Sequence, residues 1–178
     1  MSISTNVSTR AGEPGLDSAS LRRVLGHFAS GVVVVTAIDV QGPVGMTAQS
    51  FCSLSLEPPL VLFCPAKSSR SWPRIAAAQS FAVNVLDTSH ATLCRQFAVS
   101  GGDKFAGVSW MPSSMGAPLL DDAISWIECR THAVHDGGDH HIVLGSVLSA
   151  TLREGEVAEA MPLVFYRGGF GTFAPHEL

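Results

Sequence analysis

Residues 44–73, VGMTAQSFCSLSLEPPLVLFCPAKSSRSWP, concentrate the side chains of this chain that could do chemistry. At one end Thr47, Ala48, Gln49 and Ser50 close a strand-like run and enter a loop, with Ser53 just beyond. Their hydroxyls, amide and partly free backbone groups offer donors and acceptors to the edge of a flat, partly polar ring. At the other end Lys67, Ser68, Ser69, Arg70, Ser71 and Trp72 bring cations and hydroxyls to the start of a short helix. Charge-assisted hydrogen bonds, hydroxyl donors and free backbone N–H groups are three separate ways to hold a phosphate. A strand pair built only for stability needs neither set. Each set also has a plainer reading, as a polar turn and as a solvated basic turn with a capping serine.

The basic turn stands out against the rest of the chain. There are only 11 lysines and arginines in all, and Lys67, Arg70 and Arg74 fall within eight positions. Such a local cation density marks a candidate anion site. A flavin ring needs partners such as residues 47–50 along its N1–N5 edge with one face left open, while a plain polar turn accounts for the same residues. Conventional catalytic groups are not in evidence. No serine sits in a G-x-S-x-G elbow, and no pair of carboxylates stands out. That suits a protein whose cofactor carries the reactive atoms while side chains orient it.

Two further clusters are candidates. His135–His141 reads HDGGDHH, which invites a metal reading. Adjacent His140 and His141 would point to opposite faces of a strand, however, and no helical ligand spacing is present, so no metal is expected. One of these histidines at the mouth of a cofactor pocket is the alternative to a plain loop. Lys104 and Phe105 follow Gly101, Gly102 and Asp103; they either place a cation and an aromatic over a ligand or anchor their own loop.

The elements that must position these residues can be read from periodicity. Asp17 is placed to cap a helix over 18–29, with Leu21, Val24, Leu25 and Phe28 on one face and Gly31 at its end. Residues 32–38 are largely β-branched and predict a buried strand, turning at 39–42 into a hairpin partner over 44–50. Leu54, Leu56 and residues 60–64 are strand material broken by Glu57, Pro58 and Pro59. Ser71 before Trp72 and Pro73 predicts a helix to Ala78. Strands follow at 81–86, 125–134, 140–150 and 162–166, with a helix at 88–97, loops at Gly101–Gly102 and 111–118, and a turn at Asp136, Gly137 and Gly138. Seven or eight strands joined by hairpin-like turns favour an antiparallel barrel, mainly β with peripheral helices, over a doubly wound sheet. No G-x-G-x-x-G follows a strand, so a Rossmann site is not supported.

Bulk properties narrow the class. A chain of 178 residues with 46% hydrophobic residues fits one domain, expected over 17–174 behind a flexible tail at 1–16. A net charge of −4 argues against nucleic-acid binding. No apolar run approaches membrane-spanning length, and the polar N-terminus carries no secretory h-region. Cys52, Cys64, Cys94 and Cys129 form no C-x-x-C pair and are expected to be buried, reduced thiols of a cytoplasmic protein.

In order, VGMTAQSFCSLSLEPPLVLFCPAKSSRSW, FAVNVL, RQFA, DKFAG, GDHHIVLG and PLVFYRG resemble the short-chain flavin reductases of two-component monooxygenases. The resemblance runs from about Leu21 to Gly171 and is strongest toward reductase partners of aromatic hydroxylases, including those of actinobacterial steroid-ring degradation. It implies a single-domain FMN-binding split β-barrel, a homodimer, and reduction of FMN or FAD by NADH (NADPH in some members). The reduced flavin then serves a separate oxygenase. It implies that Thr47, Ala48, Gln49, Ser50 and Ser53 line the ring and that Lys67, Ser68, Arg70, Ser71 and Trp72 hold the phosphate side. It places Asn84 close to the flavin and Lys104 and Phe105 over it. It assigns the nicotinamide nucleotide to His140, with Phe165, Tyr166, Arg167 and Gly168 alongside. His141 is an additional histidine where an apolar residue is expected, which leaves open which of the pair faces the pocket. Two other classes share features of this reading. One is an oxidase with tightly held FMN, of the pyridoxamine-phosphate-oxidase type. The other is a non-enzymatic flavin or haem carrier.

Overall fold

The β-branched run beginning at Val32 forms the hub of the molecule. The structure, a computed structural model, describes residues 17–121, 123–155 and 160–174. The expected tail at 1–16 lies outside the described residues. In chain order the elements are α1 Ser18–Leu25, β1 Ser30–Gly31, β2 Val33–Asp39, β3 Gly42–Ala48, β4 Cys52–Leu56, β5 Pro59–Phe63, α2 Trp72–Ala78 and β6 Ser80–Val85. After a 3-10 turn at Thr88–His90 come α3 Ala91–Ala98, β7 Trp110–Pro112, β8 Pro118–Leu120, β9 Ser125–Gly137, β10 His140–Leu152, β11 Val164–Tyr166 and β12 Gly169–Gly171.

Seven strands form one antiparallel sheet in the order β3-β2-β6-β9-β10-β5-β4. The sheet wraps around its own inner face. β5 and β6 are three strand spacings apart, roughly 14 Å in a flat sheet. Yet the rings of Phe63 and Phe81 meet edge to face with centroids 5.3 Å apart. Val33, Val35, Val44, Val61, Phe63, Phe81 and Val143 share this core with Trp72 and Ile75 of α2. Gly145 makes the close approach possible, because a Cβ there would stand 2.6 Å from Cζ of Phe81. This curvature gives the split barrel that the hairpin pattern predicts. A second core lies on the other face of β2, where Val32 and Val34 pack with Leu86, Cys94, Phe97, Leu120 and Leu163. Burial on both faces explains why the run is continuously apolar rather than alternating.

Asp17 caps α1 as expected, accepting the Ser20 N–H at 2.8 Å. The helix itself is shorter than its periodicity suggests. It ends at Leu25 with Gly26 as C-cap, not at Ala29 before Gly31. Residues 111–118, read as a loop, form a hairpin of β7 and β8. The glycines after Arg167 form β12, paired to β11 through a turn in which Arg167 and Gly168 both have positive φ, 51° and 81°. Two such residues make the primed turn that matches strand twist. Cys94 and Cys129 are buried, and burial pushes the Cys129 thiol up to about 12. Cys52 departs from the expected burial: it is exposed, because β4 is an end strand of the sheet with one open side.

Candidate functional site

The curved sheet leaves a seam between the end of β3 and the end of β5. β3 terminates the sheet order, so backbone groups on its outer side have no strand partner. The loop that follows is pinned across the seam by Ser50. Its Oγ accepts the Cys64 N–H at 2.8 Å and lies 3.3 Å from the Cys64 carbonyl as donor. A cavity of about 560 Å³ opens here, lined by Met46, Thr47, Ala48, Gln49, Ser50, Cys64, Ala66, Ala98 and His140. Thr47 Oγ1 donates to the Cys94 carbonyl at 2.7 Å, which ties β3 to α3. Ser53 is exposed on β4 and does not line this cavity.

A second cavity of about 300 Å³ continues the first and shares Met46, Thr47, Ala66 and Ala98 with it. Its far end carries Ser68, Ser69, Arg70, Ser71 and Lys104. The three cations of the basic turn separate here. Lys67 pairs with Asp136 of the β9–β10 hairpin and lines neither cavity; the pairing holds the Asp136 carboxyl below its usual range. Arg74 grips Asp39 with two bonds, at 2.8 and 2.7 Å, and reaches the Gly42 carbonyl at 3.1 Å. That hydrogen bonding brings the Asp39 carboxyl down to about 2. Arg70 is exposed and makes no hydrogen bond or ion pair among the described residues.

Several residues expected at the ligand are built into the framework. Trp72 is buried against Phe63, centroids 5.8 Å apart, so its ring supports the core and not the phosphate end. Ser71 precedes α2 as predicted, but the side chain that meets the helix start is Ser69, whose Oγ accepts the Trp72 N–H at 3.2 Å. Asn84 is fully buried. Its amide donates to the Val34 carbonyl and Thr36 Oγ1, both at 3.0 Å, and accepts the Leu120 N–H at 2.7 Å. It therefore joins β6, β2 and β8 inside the core and does not reach the groove. Lys104 directs its ammonium to the Phe97 carbonyl at 2.8 Å, Ser71 Oγ at 3.1 Å and the Gly45 carbonyl at 3.2 Å. Burial lowers its pKa. Phe105 packs edge-on against Phe97 at 5.0 Å and against Trp110 at 6.2 Å, which anchors the loop.

The two histidines divide as strand alternation requires. His140 lines the ring-end cavity, with Nδ1 2.7 Å from Asp139 Oδ1, an interaction that lowers the Asp139 carboxyl. His141 lies against Trp72, centroids 6.0 Å apart. Phe165, Arg167 and Gly168 line a neighbouring cavity of about 690 Å³ with Arg22, Arg23, Leu25, Gly26, His27 and Phe28 of the α1 segment. Tyr166 meets His27 edge to face at 6.0 Å instead. Gln49 belongs to the walls of both this cavity and the ring-end one. His140 and the β11–β12 turn are thus neighbours across Gln49 and do not share one wall.

The sequence pattern places Ser69 in the phosphate run but gives the helix start to Ser71, and it does not point to the arginine pair of α1 or to the small residues Ala66 and Ala98. The Arg22–Arg23 doublet was a visible signal; an isolated alanine carries none. The groove fits a flavin. It has the outer edge of β3 at one end, small side chains between, and at the other end hydroxyls with a guanidinium that is unpaired among the described residues. Fold and groove together define a split-barrel protein built to hold a flavin.

Comparison with known proteins agrees. Residues 25–174 match the flavin reductase like domain. The reductase subunit HsaB of a flavin-dependent monooxygenase from Mycobacterium tuberculosis is 44% identical over 162 residues, 91% of this chain and 86% of that protein. Among solved structures, the nitrilotriacetate monooxygenase component B homologue from Mycobacterium thermoresistibile superimposes with a TM-score of 0.84 at 42% identity, over 90% of this chain and 91% of its own. The NADH:FAD oxidoreductase SgcE6 of Streptomyces globisporus, solved with NAD and FAD fragments, gives 0.82 at 42% identity over 89% and 94%. The chain belongs to the flavin reductase like family.

Proposed function

We propose that the protein is an NADH-dependent flavin reductase that reduces FMN or FAD and releases the reduced flavin to a separate monooxygenase component. The observation that carries the reading is the groove along the seam, polar at both ends, with a second cavity sharing Gln49 at its ring end. When bound, the flavin supplies the hydride-accepting chemistry. The chain's task is to hold two planar groups in contact at roughly 3–3.5 Å. In this reading the outer edge of β3 and the loop that follows, residues 47–50, take the ring edge, and Ser68 and Arg70 take the phosphate. His140, oriented by Asp139, positions the dinucleotide, and Phe165, Arg167 and Gly168 border it from beyond Gln49. Gln49, Ser50, Ala98 and Arg70 are all exposed, which favours a flavin that exchanges with solvent over one held as a prosthetic group.

The working form is a homodimer. Leu21, Val24 and Leu25 of α1 and Phe28 just after it are 42%, 65%, 61% and 82% exposed, an apolar face that a partner subunit would cover. Among the described residues no helix is long and apolar enough to cross a membrane. Dependence on NADH supports a cytoplasmic location, with residues 17–174 as the working unit. The test is anaerobic: protein, NADH and a large excess of free FMN or FAD, followed at the flavin absorbance band. Bleaching of many flavin equivalents per protein is expected. Bleaching limited to one bound equivalent would indicate an oxidase, and no bleaching a carrier.

A further inference from the structure

We infer that the groove continues past its phosphate end into a third cavity that receives the adenosine half of FAD, so that this chain favours FAD over FMN. The inference rests on the flavin reading of the groove. The outer cavity has a volume of about 550 Å³ and shares Arg70, Ser71 and Lys104 with the phosphate-end cavity. It is as large as the ring-end cavity, about 560 Å³. A ligand that ended at its first phosphate would leave this space unused.

The wall between the two cavities is where a second phosphate would lie, and Arg70 stands in it. The other cations of the turn are held by carboxylates, Lys67 by Asp136 and Arg74 by Asp39. Lys104 has its donors on Phe97, Ser71 and Gly45. Arg70 alone of this group has no such partner among the described residues, and a planar guanidinium with five donors can span two adjacent phosphates.

The far wall suits a nucleoside. Gly101 and Gly102 line it with φ of 85° and 74°, a backbone state that side chains rarely adopt. A Cβ at Gly102 would meet nothing within 4 Å, and one at Gly101 only Nη1 of Arg70 at 3.8 Å. The glycines therefore answer a backbone need, and their bareness keeps the approach to Arg70 open. Gln41 lines the same cavity, exposed, and its side-chain amide makes no hydrogen bond among the described residues. Such an amide can pair with a base edge or a ribose hydroxyl. The one carboxylate lining the cavity besides these, Asp103, accepts the Phe105 N–H at 3.0 Å and so serves its own loop.

The test is equilibrium binding without NADH. Flavin-free full-length protein is titrated with riboflavin, FMN and FAD, and flavin fluorescence is read. FAD is expected to bind about tenfold more tightly than FMN. Gln41→Trp fills the outer cavity from an exposed turn and is expected to erase that preference while the FMN dissociation constant stays within about twofold. Circular dichroism checks that the variant folds, and the wild-type ratio stands as a test even if it does not. Equal affinity of the wild type for FMN and FAD would overturn the inference, as would an intact FAD preference in Gln41→Trp. Failure of all three flavins to bind would overturn the flavin reading beneath it, which is a separate and recognisable result.

Discussion

Lys104→Met separates two roles for one lysine. The variant keeps the aliphatic stem and removes the ammonium that joins the Phe97 carbonyl, Ser71 Oγ and the Gly45 carbonyl. These acceptors belong to α3, the start of α2 and β3, the three elements that flank the phosphate end of the groove. A hydrogen bond to a charged group contributes about 1.5–3 kcal/mol net. The side chain is only half-buried, so water can reach part of what the lysine leaves, and the cost of burying the ammonium disappears with it. The net loss is therefore nearer one such bond than three, about 2–3 kcal/mol. For a domain of this size that lowers Tm by roughly 4–12 °C, at about 2–4 °C per kcal/mol. Thermal unfolding of flavin-free protein by circular dichroism measures it. FMN affinity should also fall, because the groove walls loosen, and Lys104→Arg should recover part of the Tm. An unchanged Tm with flavin binding abolished would refute the reasoning: the ammonium would then be directed at the ligand and the three internal bonds would carry no weight.

Other outcomes follow from the same contacts. Asn84→Leu should lower stability by about 1–3 kcal/mol, because the buried Leu120 N–H loses its acceptor, with FMN affinity of the folded variant within about twofold; a large affinity loss at unchanged Tm would put Asn84 at the ring after all. Asp39 has its carboxyl held near 2 by Arg74, below the ordinary 3.8, so its contribution is complete above that ordinary value and is lost as pH falls toward 2. The Tm gap between wild type and Asp39→Asn should accordingly be constant from pH 5 to 8 and close between roughly pH 4 and 2. His140→Ala should raise the KM for NADH much more than it raises the Kd for flavin; equal losses in both would count against a dinucleotide role. Phe28→Asp should convert a dimer to monomer in sedimentation velocity, and a monomeric wild type would remove the dimer proposal.

The framework was largely legible because its signals are local. The Val32 run, the hairpin turn at 39–42 and the Asp17 cap depend on neighbours a few residues away. What the site residues do depends on partners far along the chain. Arg74 meets Asp39 across 35 positions and Lys67 meets Asp136 across 69, so a cluster of three cations reads as one anion site until the fold divides it. Asn84 reads as a ligand contact by resemblance, yet the closing of β8 over β6 makes it a core cross-link. Alternation shows that His140 and His141 must face opposite ways; only the position of Trp72 decides which faces the groove. The α1 face is an apolar stripe of the kind that packs within a domain, and nothing local marks it as left uncovered.

The tip of the β9–β10 hairpin carries His140, and the phosphate-side loop is fastened to that same tip. Lys67 donates its backbone N–H to the Asp139 carbonyl at 2.9 Å and its ammonium to Asp136. In the proposed reading the two ligands therefore lean on a single mechanical piece. A dinucleotide that displaces His140 would pull on the residues beside Arg70, and a flavin phosphate that orders the loop would stiffen the ground on which His140 stands. Linkage makes this reciprocal: whatever factor flavin applies to dinucleotide affinity, dinucleotide must apply to flavin affinity. Lys67→Ala removes the ammonium half of that tether while keeping its backbone half, and would shift that factor part of the way toward one.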